Sequence, residues 1–390
     1  MRTQVAIVGA GPAGLVLSHL LHLRGIDSVV LELRSRDYVE QRVRAGVLEQ
    51  GTVALLQATG VGERLGRQGM VHHGIELRFG GRRHRIPLTE LTGRSITIYG
   101  QQEIVKDLIR ARLEAGGTVL FEVEGVRLHG LESDRPVVSY RHGGHDVELA
   151  CDLVAGCDGY HGVCRDAIPA GTLTVYERLY PFAWLGVLAA VAPSAEEIVY
   201  TSHQRGFALH SMRSPELTRL YLQVDPDEPI ERWPDERIWE ELQTRLATED
   251  GWTLGEGPIL EKGVSAMRSF VVEPMQFGRL FLAGDAAHIV PATGAKGMNL
   301  AIADVQVLAE ALATWYRTGE DGLLGGYSAA CLRRVWRVQD FSAWMTGMLH
   351  RYPDDDGFQR RLRRARLEYV AGSEAAARSL AENYVGLERV

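Results

Sequence analysis

Four side chains could grip an anion: Ser211, Arg213, Arg219 and Tyr221. They fall in two alternating runs, 206–213 and 217–223, joined by the turn-forming Ser214-Pro215-Glu216. Side chains alternate faces along a strand, so Ser211 and Arg213 share one face of the first run. Arg219 and Tyr221 share one face of the second, and Leu220 and Leu222 turn the other way, towards a core. If the hairpin pairs with its polar faces together, two guanidinium groups and two hydroxyls converge, which suits a carboxylate. A solvent-facing strand would carry the same pattern.

Three glycine-bearing strand ends could hold a nucleotide. Val5-Ala6-Ile7-Val8 leads into Gly9-Ala10-Gly11-Pro12-Ala13-Gly14, a helix through Leu23, and a second strand ending on Glu32. This is the G-x-G-x-x-G fingerprint in its required setting. Gly9 permits the tight turn, Gly11 lets backbone approach a pyrophosphate, Gly14 lets helix and strand pack closely, and Glu32 can accept from ribose hydroxyls. A second apolar strand ends on Asp158-Gly159, with His161 and Arg165 just beyond. A third, Leu280-Phe281-Leu282, ends on Gly284-Asp285, followed by a loop with Pro291 and Gly294 and the helix former 300–305. A carboxylate at a strand end and backbone N–H groups at a helix start suit a polyhydroxy or anionic ligand. Arg34, Arg36, Arg42 and Arg44 fit either surface charge or phosphate contacts.

The elements that must position these residues read as an α/β (α+β) protein. A Rossmann-like nucleotide domain is expected over 1–174, a mostly antiparallel sheet over 175–265, and a second ligand-contact segment with C-terminal helices over 266–390. A strand is expected at 96–99, with Gln101 opening a helix. A three-stranded excursion is expected from 118–123, 136–140 and 147–149, with Gly143-Gly144 as hairpin turn. Helices are expected over 306–315, 326–349, 358–369 and 372–382, with Trp336, Trp344, Met345 and Met348 in core or subunit interface.

With 390 residues, 45% hydrophobic and 24% charged, the chain has the make-up of an ordinary globular protein. A net charge of -7 argues against general nucleic-acid binding. The basic run 360–366 follows three aspartates and reads as a compensated, solvated helix face. The spacing of Cys151, Cys157, Cys164 and Cys331 matches no zinc ribbon or redox pair, so reduced structural thiols and no metal are expected. The N-terminus enters a strand directly and no apolar run reaches membrane length, so a cytoplasmic protein is expected.

Gly9-x-Gly11-x-x-Gly14, Cys157-Asp158-Gly159 and Gly284-Asp285, with Tyr99-Gly100-Gln101 and Glu382-Asn383-Tyr384-Val385-Gly386, together resemble the class A flavoprotein aromatic hydroxylases over nearly the whole chain. The resemblance implies an FAD-dependent monooxygenase using NADH or NADPH and O2. It implies 4-hydroxybenzoate as substrate, hydroxylated to 3,4-dihydroxybenzoate, and a homodimer formed through the C-terminal helices. By the same resemblance, Gly9, Gly11, Gly14, Glu32, Arg42, Arg44, Gln101, Asp158, Arg219 and Asp285 would contact FAD, together with Lys296, Gly297, Met298 and Asn299. Arg34, Tyr38, Arg42, Arg44, His161, Arg165 and Arg268 would meet the nicotinamide nucleotide. Ser211, Arg213, Tyr221, Tyr200 and the Ala292 carbonyl would bind substrate. Tyr200 and Tyr384 would pass the phenol's proton to His72 at the solvent side.

Two departures stand out. Leu33, not arginine, follows the ribose acid, which leaves NADH against NADPH open. The loop reads Pro291-Ala292 where two prolines are expected. A related flavin monooxygenase acting on another hydroxy- or aminobenzoate, or a non-catalytic flavin-bearing sensor, fits part of the same pattern.

Overall fold

The computed structural model describes residues 1–42 and 46–386. Its first sheet orders its strands Gln276–Phe277, Leu280–Leu282, Leu153–Gly156, Val5–Val8, Ser28–Leu31 and Thr118–Leu120. The last five are mutually parallel. Strands buried on both faces need continuous apolar sequence, which is why Val5-Ala6-Ile7-Val8 and Leu280-Phe281-Leu282 carry no alternation. Helix Pro12–His22 packs against helices Gln101–Glu114 and Gly297–Thr318 beside this sheet. Its Leu15, Leu17 and Leu21 are fully buried, each contributing about 1.5–3 kcal/mol.

Parallel register decides where the motifs meet. Val8 lies beside Leu31 and Gly156, and Gly156 beside Leu282. The residues that follow, Gly9, Glu32, Cys157-Asp158 and Ala283-Gly284-Asp285, therefore emerge at one edge. Ligands of open parallel sheets bind at this carboxyl edge.

The second sheet has eight strands, ordered His288–Ile289, Ile259–Glu273, Thr174–Ala189, Leu217–Val224, Ala208–Ser214, Val199–Ser202, Ile75–Phe79 and Arg82–Ile86. All neighbours are antiparallel except Val199–Ser202 with Ile75–Phe79. It thus recruits a hairpin from the N-terminal third of the chain and runs on to Ile289. Val47–Glu49, Ile96–Ile98 and Met70–His72 form a small antiparallel sheet with Ile96–Ile98 in the middle.

The expected three-stranded excursion is corrected at its first strand. Thr118–Leu120 joins the parallel sheet beside Ser28–Leu31, and the excursion consists of Glu124–His129, Val137–His142 and His145–Ala150. Glu122, at φ 57°, turns the chain between the two sheets, which hydrophobic patterning does not register. Gly143 and Gly144 form the expected turn, both with positive φ.

The C-terminal region is helical over Tyr327–Leu349, Gly357–Gly372 and Glu374–Val385. Asp356 and Ser373 cap the last two by accepting from Gln359 N and Ala376 N. Met345 and Met348 are core, whereas Trp336 and Trp344 are 41% and 37% exposed. Among the described residues no helix is long and apolar enough to cross a membrane.

Candidate active site

At the parallel sheet's edge the three fingerprint glycines have different reasons to lack a side chain. Gly9 has φ 103°, and a Cβ there would lie 2.3 Å from the Cys157 carbonyl oxygen. A Cβ on Gly14 would sit 2.0 Å from the Gly9 carbonyl oxygen. A Cβ on Gly11 would meet nothing within 4 Å. Protein packing therefore requires glycine at 9 and 14, while at 11 the bare backbone faces open space. That is a cradle for a ligand. Glu32 spans the turn: its Oε2 accepts from Ala10 N at 2.7 Å and its Oε1 from Arg34 N at 2.9 Å. The helix starting at Pro12 has no side-chain cap, so its first N–H groups remain for a phosphate.

Asp158 and Asp285 stand at the same edge. Asp158 Oδ2 accepts from Cys164 N at 2.9 Å, and its buried Oδ1 has no hydrogen-bond partner among the described residues. Burial raises its pKa above the usual carboxylate value. Asp285 sits in a short 3-10 turn, Gly284–Ala286. That turn is held by Asp304, whose Oδ2 accepts from Gly284 N at 3.0 Å and meets His288 Nε2 at 2.6 Å. Burial disfavours a charged His288, yet Asp304 outweighs it and raises the imidazole's pKa. Sequence reasoning missed this pair, whose partners are joined only by the fold. Gln101 is the first residue of helix Gln101–Glu114.

Lys296 and Asn299 begin helix Gly297–Thr318 and tie it to its surroundings. The buried Lys296 Nζ donates to Glu49 Oε1 at 2.8 Å and to the Tyr384 carbonyl at 2.7 Å. Burial lowers its pKa, with Glu49 opposing. Asn299 Oδ1 accepts from Glu49 N and Thr52 Oγ1, both at 2.9 Å, and its Nδ2 donates to the Val47 carbonyl. These side chains are committed to protein, so what Gly297 and Met298 offer a ligand is backbone N–H at a helix start. Glu49 was invisible as a site residue because its partners lie far along the chain.

In the second sheet Ser211 pairs with Arg219 and Leu209 with Tyr221, so the polar faces of the hairpin coincide. Arg213 Nη1 donates to Ser211 Oγ at 3.1 Å and to the Met212 carbonyl at 2.8 Å. Its Nε and Arg219 Nη1 are buried without a hydrogen-bond partner among the described residues, Glu261 being 3.7 Å from Arg219. Burial pushes the Tyr221 phenol up, but Arg213 and Arg219 together outweigh it and leave its pKa below the ordinary value. Two cations with unspent donors around one phenol form a site for an anion. Gly186, opposite Tyr221, makes the room: a Cβ there would be 2.9 Å from Arg219 Nη2.

Tyr200 and Tyr384 come together from strand Val199–Ser202 and helix Glu374–Val385. Their hydroxyls meet at 2.6 Å and each residue is 1% exposed. Burial raises both phenols above their ordinary pKa. His72 is not at the solvent side. It is 2% exposed on the small sheet, paired with Ile96, and neither ring nitrogen has a hydrogen-bond partner among the described residues. Burial brings its pKa to about 4, with Glu197 opposing. The Ala292 carbonyl, expected to face the phenol, accepts from Ala295 N at 3.0 Å within a 3-10 turn.

The residues expected at the nicotinamide form two groups. Arg34 and Arg42 lie over the exposed Tyr38 ring, while Arg36 pairs with Glu40. Arg165 and Arg268 lie over Tyr160, a residue missed in the sequence, and His161 meets its edge. Arg165 also donates to the Tyr160 and Ala286 carbonyls, and Arg268 pairs with Glu177. Arg44 lies outside the described residues.

The sequence family described as FAD binding domain matches residues 2–342. The chain is 48% identical over 388 residues to p-hydroxybenzoate hydroxylase of Acinetobacter baylyi, covering 99% of this chain and 96% of that one. It is 27% identical to 3-(3-hydroxy-phenyl)propionate/3-hydroxycinnamic acid hydroxylase of Mycobacterium avium, over 80% of this chain and 55% of that one. The crystal structure of p-nitrophenol 4-monooxygenase from Pseudomonas putida shares the fold, with a TM-score of 0.84 over 100% of both chains at 19% identity. With the nucleotide cradle, the anion clamp and a match over nearly its full length, the chain belongs to the FAD-binding class A flavoprotein aromatic hydroxylases, the family of p-hydroxybenzoate hydroxylase.

Proposed function

We propose that this chain is an FAD-dependent monooxygenase that converts 4-hydroxybenzoate to 3,4-dihydroxybenzoate, with NADH or NADPH as reductant and O2 as oxidant. The observation that carries the reading is the pairing of Arg213, Arg219 and Tyr221 on one sheet face with the buried Tyr200–Tyr384 contact at 2.6 Å. In this reading the Arg213–Arg219–Tyr221 group takes the substrate's carboxylate and the Tyr200–Tyr384 pair takes its phenol.

Gly9, Gly11, Gly14, Glu32, Gln101, Asp158 and Asp285 would hold FAD, with the N–H groups at 296–299. When bound, FAD takes a hydride from the nicotinamide nucleotide and activates O2 for transfer of one oxygen atom to the ring. The protein's share is positioning and proton control. Arg213, assisted by Ser211 and Tyr221, grips the carboxylate and so orients the ring. Tyr200 meets the phenol and shares its proton with Tyr384, which leaves the carbon ortho to oxygen electron-rich. His72 is the onward acceptor in this reading. Burial keeps it neutral, and so free to accept, while weakening it as a base.

The exposed Trp336, Trp344, Phe358 and Tyr369 on the C-terminal helices support a homodimer through that region. Four free buried cysteines support a reducing, cytoplasmic setting.

The test is NADH and NADPH oxidation by the purified flavoprotein, with and without 4-hydroxybenzoate, and chromatography of the product. The ligand is expected to speed reductant oxidation and to yield 3,4-dihydroxybenzoate. Absence of both effects overturns the reading.

A further inference from the structure

His350 follows helix Tyr327–Leu349 and is fully buried. Its Nδ1 lies 3.1 Å from the Thr346 carbonyl, which can only accept, so Nδ1 carries the proton. Nε2 is then a lone pair, and Trp184 Nε1–H donates to it at 2.7 Å. Only the neutral ring with its proton on Nδ1 satisfies both contacts. The ring is stacked between Phe182 and Phe207, at 4.6 and 4.2 Å between centroids.

The partners of this ring lead to Tyr221, to Tyr200 and to the Ala292–Gly294 turn. The Trp184 indole packs against Tyr221 at 4.9 Å and stacks on Phe207 at 5.1 Å, and Phe207 packs against Tyr200 at 6.3 Å. The Thr346 hydroxyl meets that of Thr293 at 2.9 Å, within the Ala292–Gly294 turn. A phenylalanine at 350 would fill the same stack, but it would leave the buried Trp184 N–H without an acceptor. Packing alone therefore does not account for an imidazole there.

We infer that His350 is a positioning residue: by holding the Trp184 indole it sets the carboxylate clamp at Tyr221 relative to Tyr200. The inference rests on the hydroxybenzoate reading. His350 touches no reacting atom, and acts through Trp184.

The test uses the FAD-loaded enzyme, with binding of 4-hydroxybenzoate followed by the flavin absorbance and turnover by product and H2O2. His350→Leu removes the acceptor and is expected to raise the substrate Kd and KM about 10-fold, the cost of one unmade buried hydrogen bond. It should also divert reductant to H2O2. His350→Gln keeps an acceptor and is expected to recover binding to within about 2-fold. In a Trp184→Phe background, His350→Leu should add little, because the two act as one unit. Equal losses in the Leu and Gln variants, full additivity with Trp184→Phe, or an unchanged Kd in folded His350→Leu would overturn the inference. Should His350→Leu fail to fold, Trp184→Phe must weaken binding while His350→Gln does not; any other pattern overturns it. A wild-type enzyme that binds 4-hydroxybenzoate without hydroxylating it overturns the functional reading alone, because the binding arm still decides the role of His350. Absence of wild-type binding overturns both.

Discussion

The nucleotide cradle and the substrate pocket lie in one chain but are built from different materials. At the cradle, backbone does the recognition: parallel strand ends bring N–H groups together, and glycine matters because a Cβ would strike a carbonyl or fill the ligand's space. In the pocket, recognition falls to side chains from two sheets and a C-terminal helix, held by side-chain contacts such as Tyr200–Tyr384 and Trp184–His350. The cradle should therefore fail through sterics, abruptly and at few positions. The pocket should fail in graded steps, one hydrogen bond at a time.

The largest expected effect separates two glycines of one motif. Gly14→Val forces atoms into the Gly9 carbonyl and should yield destabilised protein without bound flavin, seen as loss of the yellow chromophore per mole of chain. Overpacking of this kind costs about 1–3 kcal/mol and more where backbone is struck. Gly11→Ala meets no protein atom, so the apoprotein should melt as wild type does while FAD affinity falls. Equal melting losses in both would erase the distinction between a packing glycine and a ligand-facing one.

In the pocket, Arg213→Ala should raise KM for 4-hydroxybenzoate by about 100-fold, a loss of about 3 kcal/mol for one partner of a buried charge pair. An unchanged KM would remove Arg213 from the clamp. Tyr200→Phe removes the hydroxyl that meets Tyr384. It should leave flavin reduction intact and lower hydroxylation about 100-fold, with reductant diverted to H2O2. Full coupling in this variant would exclude Tyr200 from proton transfer.

The smallest effect is on stability against pH. Burial pushes His350 down to about 3 and His72 and His210 to about 4, all below the ordinary value of 6.5. The unfolded chain then binds more protons than the native state between about pH 6.5 and 4. Stability is fully present above pH 6.5 and is lost as pH falls through that window. His350 alone accounts for a loss of about 2 kcal/mol by pH 5. Thermal melting from pH 7.5 to 5 should show the decline, and His350→Gln should make it shallower. A flat profile would mean these imidazoles are not held neutral by burial.

The contrast also explains what was legible beforehand. The glycine fingerprint, the acid after the second strand and the alternation around Ser211 and Tyr221 are local patterns, set by backbone sterics and by the two-residue period of a strand. They indicated the nucleotide fold and a candidate anion face without reference to distant residues. Strand Thr118–Leu120 was expected in the wrong sheet because pairing partners lie outside any local window, and the turn at Glu122 between the alternatives leaves no mark in the hydrophobic pattern. Glu49, Gly186 and His350 went unnoticed for a related reason. Each has meaning only beside a partner brought from elsewhere: Lys296, Arg219 and Trp184.

His72 was legible as a residue but not as an environment. Local sequence cannot report the burial that shifts its proton affinity. By itself, then, the sequence determined the strand ends, the glycines and the chemistry of the hairpin, because these follow from short-range geometry. Only the tertiary structure decided which carboxylates face which cations, which phenols touch and which imidazoles stay neutral. Those outcomes depend on desolvation and on contacts between residues far apart in the chain.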